Sequence, residues 1–153
     1  MFTYQDGYGN WYTNAPPSVA TFQHCTIADN GSDGLYAMAW SAGGSGNATN
    51  CIFANNGGHG LLLDSQNHPG AFACSEAYNV FFNDDILVNG AAQALAATDS
   101  ASDPLFWGAG AKPDPWYKLG SRGSPAYHSA TDGGNRGAYQ VEKYRTGTLI
   151  EVR

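Results

Sequence analysis

Aspartate and histidine residues recur along the chain at a nearly constant spacing. Asp33, His59 and the pair Asp84-Asp85 follow one another at intervals of about 26 residues. Hydrolysis of a glycosidic bond needs two carboxyl groups, one to protonate the leaving oxygen and one to activate water. In this hypothesis Asp84 or Asp85 is the acid, Asp33 is the base and His59 orients the substrate. The same residue types are also frequent in ordinary turns, so a purely structural interpretation stays open.

Other side chains suggest fewer kinds of chemistry. Trp40 lies in a loop of small residues and is a candidate stacking platform for a sugar ring. The three cysteines are odd in number, form no Cys-x-x-Cys pair and have no matching pair of histidines. We therefore predict no metal site, no disulfide framework and no cofactor. Cys25 and Cys51 are expected to stack as buried free thiols.

The distribution of charge limits the classes of partner. The chain of 153 residues has a formal net charge of −6, and its first basic residue is Lys112. A protein without a basic stripe cannot neutralise phosphates, so we expect neither nucleic acid nor an anionic membrane as a partner. We also find no apolar run long enough to span a bilayer and no signal peptide at Met1.

The elements that position these residues form a repeat of about 26 residues. Each repeat reads as a strand, a turn rich in Asn, Asp and Gly, and a second strand, in segments 24–38, 50–64 and 79–88. Stacking equivalent residues at the strand spacing of about 4.8 Å gives continuous apolar columns inside a parallel β-helix. Alternation predicts four inward columns, which are Cys25/Cys51/Val80, Ile27/Phe53/Phe82, Leu35/Leu61/Ile86 and Ala37/Leu63/Val88.

The outward positions of the same strands are largely apolar. They form the predicted columns Tyr36/Leu62/Leu87 and Thr26/Ile52/Phe81. A large apolar patch is rarely left in water, so the C-terminal segment or a second subunit is expected to cover it. We therefore predict a homo-oligomer, most simply a dimer. Residues 91–98 have the propensity for two turns of helix.

After Asp99 the repeat stops and four short motifs follow in order. They are Asp103-Pro104-Leu105-Phe106, Trp116-Tyr117-Lys118-Leu119, Gly123-Ser124-Pro125-Ala126 and Arg136-Gly137-Ala138-Tyr139. This order resembles the C-terminal end of right-handed parallel β-helix proteins of the pectin-lyase-like superfamily. The resemblance implies an all-β fold, a short right-handed parallel β-helix of about 3–4 coils with an irregular C-terminal cap. It is almost unspecific for function.

The chain departs from that family at two places. Tyr127-His128 and Asn135 stand where the family usually has acidic residues, so a calcium or turn role for those acids is not carried over. Gly58-His59-Gly60 and Asp84-Asp85 resemble two motifs of polygalacturonases on this fold, in reversed order and without their basic motif. Lyases on this fold need an Arg or Lys base, which the repeats lack, so a glycoside hydrolase is the preferred enzymatic alternative.

These observations give one domain with four segments. We predict an N-terminal irregular or capping segment at 1–18, β-helix coils at 19–98, a C-terminal cap at 99–140 and a tail strand at 141–153. The expected function is a non-catalytic module that binds a neutral polysaccharide or assembles through its faces. The alternative is a carbohydrate-active enzyme. The resembling family is mostly exported while no signal is found, so the compartment is unassigned, and whether Met1 is the natural start stays open.

Overall fold

The structure is a computed structural model that describes residues 18–38, 43–65, 72–106, 117–120 and 122–138. Within these residues there are ten β-strands and no helix. Trp40, residues 1–17 and the tail 141–153 lie outside the described residues. The strands are β1 (Ser18–Gln23), β2 (Thr26–Ala28), β3 (Leu35–Met38), β4 (Gly44–Thr49), β5 (Ile52–Ala54), β6 (Leu61–Asp64), β7 (Phe72–Ala77), β8 (Val80–Phe82), β9 (Ile86–Val88) and β10 (Ala91–Gln93).

Nine of the strands form three parallel ladders. One sheet contains β1, β4 and β7, a second contains β2, β5 and β8, and a third contains β3, β6 and β9. Each strand from β1 to β6 therefore pairs with the strand three positions later in the chain. We call β1–β3, β4–β6 and β7–β9 the first, second and third repeats. This all-β arrangement of parallel sheets is compatible with a parallel β-helix.

The strand register confirms two predicted columns and corrects two. Leu35/Leu61/Ile86 and Ala37/Leu63/Val88 align as predicted. Phe53 pairs with Phe81 instead of Phe82, and their rings stack with centroids 4.7 Å apart and planes 2° from parallel. Phe81 is therefore inside the protein, and the outward position belongs to Val80, which pairs with Ile52. The predicted columns ending in Val80 and Phe82 were wrong by one residue.

This one-residue difference has its origin in the connections. Seven residues, 65–71, link β6 to β7, whereas five residues, 39–43, link β3 to β4. The turn between β8 and β9 contains three residues, 83–85, whereas the turn between β5 and β6 contains six, 55–60. The repeat is thus longer before the short turn, where Ile52 pairs with Val80, than after it, where Leu61 pairs with Ile86. A single constant period cannot give both registers.

Two apolar cores lie on opposite faces of the sheet that contains β5. The inner core packs Phe53 and Phe81 with Leu61 and Leu63 between the sheets. Gly46 belongs to this interior, because an added Cβ would lie 2.7 Å from Leu63 Cδ1. The outer core contains three residues of β5 and β8 and three from the C-terminal part of the chain, namely Ile52, Ala54, Val80, Phe106, Leu119 and Ala126.

The outer core fulfils part of the expectation that the C-terminal part covers an apolar face. Ile52 is only 1% exposed and belongs to the same core cluster as Phe106 and Leu119 from the C-terminal part. On the sheet that contains β3, Leu62 and Leu87 are half-buried and Tyr36 is 48% exposed. The apolar column on that sheet is therefore the less covered of the two.

The predicted helix at residues 91–98 is not formed. Instead, β10 pairs with β9 in the antiparallel direction, and residues 94–99 form an irregular turn. Alanine favours a helix in an isolated segment, but pairing with an available strand edge outweighs this small local preference. β10 is exposed at all three residues.

The cysteines are free thiols, as expected. Cys51 is fully buried and Cys25 is half-buried beside it, with Cys25 O accepting a hydrogen bond from Ile52 N at 2.8 Å. Burial, the largest effect, together with the neighbouring Cys25, raises the pKa of Cys51 to about 11. The thiol at this position is thus a small apolar side chain inside the fold.

Candidate functional site

Each repeat turns twice, at what we call corner A and corner B. Corner A joins the first and second strands of a repeat, and corner B joins the second and third strands. Corner B begins in every repeat with a residue in the left-handed region, with φ of 55°, 55° and 56° at Asp29, Asn55 and Asn83. Asn and Asp adopt this region more readily than most residues, which explains their presence there.

The side chains that follow these corner residues form a ladder across the three repeats. Asn30 Nδ2 donates to Asn56 Oδ1 at 2.8 Å, and Asn56 Nδ2 donates to Asp84 Oδ2 at 2.7 Å. Asn56 N also donates to Asp84 Oδ1 at 3.0 Å. Asp84 is therefore the final acceptor of the ladder. Burial raises the pKa of Asp84, and the two hydrogen bonds from Asn56 oppose that rise.

Asp33 makes a different contact within corner B. Its Oδ1 atom accepts a hydrogen bond from the backbone N–H of His59 at 2.8 Å. Gly58 has no side chain at the point where the Asp33 carboxylate approaches, and an added Cβ would collide with Asp33 Oδ1. The hydrogen bond to the Asp33 carboxylate thus connects the turn of the second repeat to the turn of the first.

His59 and Asp85 form a side-chain pair at the surface. His59 Nδ1 lies 2.7 Å from Asp85 Oδ1, and the two side chains are 33% and 60% exposed. A carboxylate on Nδ1 fixes the ring orientation and leaves Nε2 facing away from the pair. No described residue provides a partner for Nε2. The pair can therefore exchange hydrogen bonds with a bound molecule.

The short turn of the third repeat creates a depression next to this pair. Because residues 83–85 replace a turn of six residues, the turn of the second repeat projects beyond that of the third. The resulting space has a volume of about 630 Å³ and is open to solvent. It is lined by Gly58, His59, Phe81, Asn83, Asp84, Asp85 and Ala101.

The structure brings together three of the predicted site residues. His59, Asp84 and Asp85 line the depression, whereas Asp33 is not among its lining residues. Asp33, His59 and Asp84 occupy equivalent positions when the register of β3, β6 and β9 is continued into corner B. Their side chains nevertheless make separate contacts. Trp40 lies outside the described residues.

Sequence reasoning did not identify Asn83, which lines the depression, or Asn56, which holds Asp84. A signal for both was present in the chain. Two consecutive Asp or Asn residues directly follow the second strand of every repeat, at 29–30, 55–56 and 83–84. Paired residues of this type indicate a stacked polar corner in which the first member bends the backbone and the second forms the ladder.

Corner A differs because the C-terminal part of the chain covers it. Asn50 and Asn79 are fully buried there. Asn50 Oδ1 accepts from Thr131 N at 3.0 Å, and Asn79 Oδ1 accepts from Cys51 N at 2.9 Å. Asn79 Nδ2 donates to Ala48 O at 3.0 Å. These buried amides are satisfied entirely by protein groups.

Arg136 attaches the C-terminal segment, residues 124–138, to corner A. Its guanidinium donates to the backbone oxygens of Asn79, Thr98 and Ser129 at 2.6, 3.0 and 3.2 Å. The residue is 7% exposed, and burial lowers its pKa while Asp99 opposes that change. Asn135 Oδ1 accepts from His128 N at 3.0 Å, so an amide serves the turn at this departure from the family pattern.

Comparisons with family models, with curated proteins and with solved structures find no match to this chain. In the part of the chain that the structure describes, no three His, Cys, Asp or Glu side chains are grouped to hold a metal ion. No helix among the described residues has the length and hydropathy to cross a bilayer.

Proposed function

We propose that the chain is a short right-handed parallel β-helix with the C-terminal end of the pectin-lyase-like superfamily, coils at 19–98 and a cap at 99–140. This architecture is supported by the three parallel ladders and by the residues with left-handed backbone φ that recur at the corners. The contact between two end motifs also supports it, because Ser124 Oγ donates to Pro104 O at 2.6 Å.

We further propose that the protein is a non-catalytic module that binds a neutral glycan in the depression of corner B. The depression presents carboxylate, amide and imidazole groups, which exchange hydrogen bonds with sugar hydroxyls. Its lining contains two aspartates and no Lys or Arg, so an acidic sugar would meet like charge. The single observation that carries the proposal is the His59–Asp85 pair facing this open space.

The contacts of the carboxylates favour binding over catalysis. Asp33 is engaged by the His59 backbone, and both oxygens of Asp84 are engaged by Asn56. A glycosidase needs one carboxyl to give a proton and another to activate water. Because these two aspartates hold the turns, they are poorly placed to perform those steps.

A glycoside hydrolase is the second candidate, and one observation favours it. The His59–Asp85 pair lies in the same depression as Asp84, whose pKa is raised by burial. In that reaction His59 Nε2 accepts a proton from water, the water oxygen bonds to the anomeric carbon, and Asp84 protonates the departing oxygen. Release of reducing ends from a neutral polysaccharide, lost in His59→Gln, would establish this reaction.

Assembly into a homo-oligomer is the remaining part of the proposal. Tyr36, Leu62 and Leu87 form an apolar column that is only partly covered, which suits an interface repeated in a dimer. Light scattering over a range of concentrations tests this directly. A constant monomer mass at high concentration contradicts it.

A glycan array followed by calorimetry tests the binding function. We expect neutral oligosaccharides to bind, acidic ones to be rejected, and Asp85→Asn and His59→Ala each to weaken binding about tenfold, as for loss of one good hydrogen bond to a charged group. Asp132→Asn is the matched control, because it removes an acid paired with His24 instead of His59. Absence of neutral-glycan binding, or equal loss in the control, rejects this site.

A further inference from the structure

A second pair of acidic side chains lies at the end of β7, away from the depression. Glu76 alternates with Phe72 and Cys74 and so shares their inner face. The backbone N–H of Ala96 lies 3.0 Å from Glu76 Oε1 and 3.3 Å from Asp99 Oδ2. Glu76 Oε2 is buried and has no hydrogen-bond partner. Two carboxyl groups thus converge on one donor.

One proton resolves the conflict between these two groups. If both were ionised, two like charges would share a single N–H in a partly buried place. Burial, the largest effect, and the adjacent Asp99 raise the pKa of Glu76 to about 7. Burial, followed by the charges of Glu76 and Asp99, also raises the pKa of Cys74 to about 11. Glu76 is thus the group of the pair that holds the proton.

The pair lies at the attachment of the C-terminal segment. Asp99 Oδ1 accepts from Asn79 N at 2.6 Å, while Arg136 donates to the backbone oxygens of Asn79 and Thr98. Arg136 also lies 5.9 Å from the ring centre of Tyr78. Asp99 from the turn and Cys74 from β7 thus interact electrostatically with Glu76, while Arg136 from the C-terminal segment interacts with Asp99 and Tyr78.

We propose that Glu76 and Asp99 form a proton-dependent latch that holds the turn 94–99, and through it the C-terminal segment, against the third repeat. With a proton on Glu76, the repulsion between the two carboxyl groups is relieved and Asp99 keeps its bond to Asn79 N. When Glu76 loses that proton, the two carboxylates repel each other and the turn moves away. Arg136 then loses the ordered Thr98 oxygen, and the C-terminal segment detaches more often.

The direction of the pH effect follows from linkage. The closed latch binds a proton more tightly than the open chain, so its stabilisation is complete at a pH below the ordinary value of 4.5 for glutamate. It is lost as the pH rises through about 7. The latch does not rest on the proposed glycan binding, because Glu76, Asp99 and Arg136 are not among the residues that line the depression.

Hydrogen exchange of the full chain tests the latch. Wild type and Glu76→Gln are compared at the same pH, so that the intrinsic exchange rates cancel. At pH 8 we expect amides in residues 124–138 to exchange about tenfold more slowly in the variant. This factor is smaller than the full pKa shift of Glu76 would give, because solvent screens a partly exposed carboxylate. At pH 4.5 the two rates should agree within about twofold.

Two further variants complete the experiment. Asp103→Asn changes the net charge equally at an exposed site and is expected to behave as wild type. Asp99→Asn keeps an oxygen for Asn79 N but removes the second charge, so the pH dependence of exchange should become weaker, with the part due to burial of Glu76 remaining. Equal exchange of wild type and Glu76→Gln at pH 8, or a pH dependence in Asp99→Asn as large as that of wild type, overturns the latch.

Discussion

Corners A and B use the same backbone conformation but have different surroundings. In corner A, the bending residue Asn50 and Asn79, which follows the bending residue Tyr78, are buried under the C-terminal segment, whereas in corner B the bending residues Asn55 and Asn83 are exposed. The left-handed φ values are 51°, 58° and 59° at His24, Asn50 and Tyr78, and 55°, 55° and 56° at Asp29, Asn55 and Asn83. The backbone alone therefore does not determine which corner is available to bind a molecule.

The difference lies in what replaces each contact when it is lost. A polar group in the covered corner has no access to water, so removal of its partner leaves it unsatisfied. In the open corner, water can take the place of a missing side chain. Substitutions in corner A should accordingly cost more stability than substitutions in corner B, and the following predictions test that order.

The largest effect is expected for Arg136→Met. The substitution keeps a long side chain but removes the guanidinium donor to the oxygens of Thr98 and Ser129 and one of the two donors to the oxygen of Asn79, which Ser100 N also contacts at 2.9 Å. We expect a loss of about 3 kcal/mol in the free energy of unfolding, measured by urea denaturation. Arg122→Met is the control, because Arg122 is exposed and should change stability by less than about 0.5 kcal/mol. Similar losses in both variants would contradict the covered-corner argument.

A smaller loss is expected for Asp84→Asn in corner B. The carboxylate of Asp84 accepts two hydrogen bonds from Asn56, one on each oxygen. The amide of the variant has only one oxygen, so its NH₂ group would face one of the two donors of Asn56. We expect a cost of about 1–2 kcal/mol, because one bond of the ladder becomes a contact between two donors. Thermal unfolding measures it. A variant as stable as wild type would mean that the ladder contributes nothing at this end.

The next effect is the pH dependence of stability in corner A. Because the pKa of Glu76 is raised to about 7, wild type should lose stability between about pH 4.5 and pH 8. After allowance for partial exposure, we expect Glu76→Gln to exceed wild type by about 1 kcal/mol at pH 8. Urea midpoints at both pH values measure the difference. The advantage should vanish at pH 4.5, and its persistence there would show another cause.

The smallest effect is expected for Asp85→Asn. Its pair with His59 is exposed, and exposed pairs contribute little to stability. We expect a change below about 0.5 kcal/mol by the same thermal measurement used for Asp84→Asn. A loss equal to that of Asp84→Asn would show that the pair supports the turn, and would weaken its assignment to ligand binding.

The sequence predicted two of the three strands in each repeat and part of their register, and it missed the strands β1, β4 and β7. The columns through Leu61 and Leu63 are correct, because β6 and β9 keep the predicted alternation. The error at Phe81 and Phe82 arose because the two neighbouring residues are identical, so alternation alone cannot choose between them. The connection 65–71 is longer than its counterpart in the preceding repeat, and the turn 83–85 is shorter than its counterpart. The two differences offset each other, so the average period of the repeat is almost unchanged.

The site was predictable where it depends on the turns and not where it depends on distant contacts. His59, Asp84 and Asp85 recur at turn positions and were identified from spacing. The pair of Glu76 with Asp99, and the attachment of Arg136 to Asn79 far away in the chain, follow no local pattern. Such contacts are created by the packing of the C-terminal segment, which periodicity does not describe.

The reversed strand β10 has a consequence for how the molecule behaves at high concentration. A parallel sheet that stopped at β9 would offer a row of free N–H and C=O groups to any extended chain nearby. β10 occupies that row and runs in the opposite direction. A neighbouring molecule therefore cannot continue the parallel ladder from β9. Three exposed residues, Ala91–Gln93, thus close the edge of β9 to a further parallel strand.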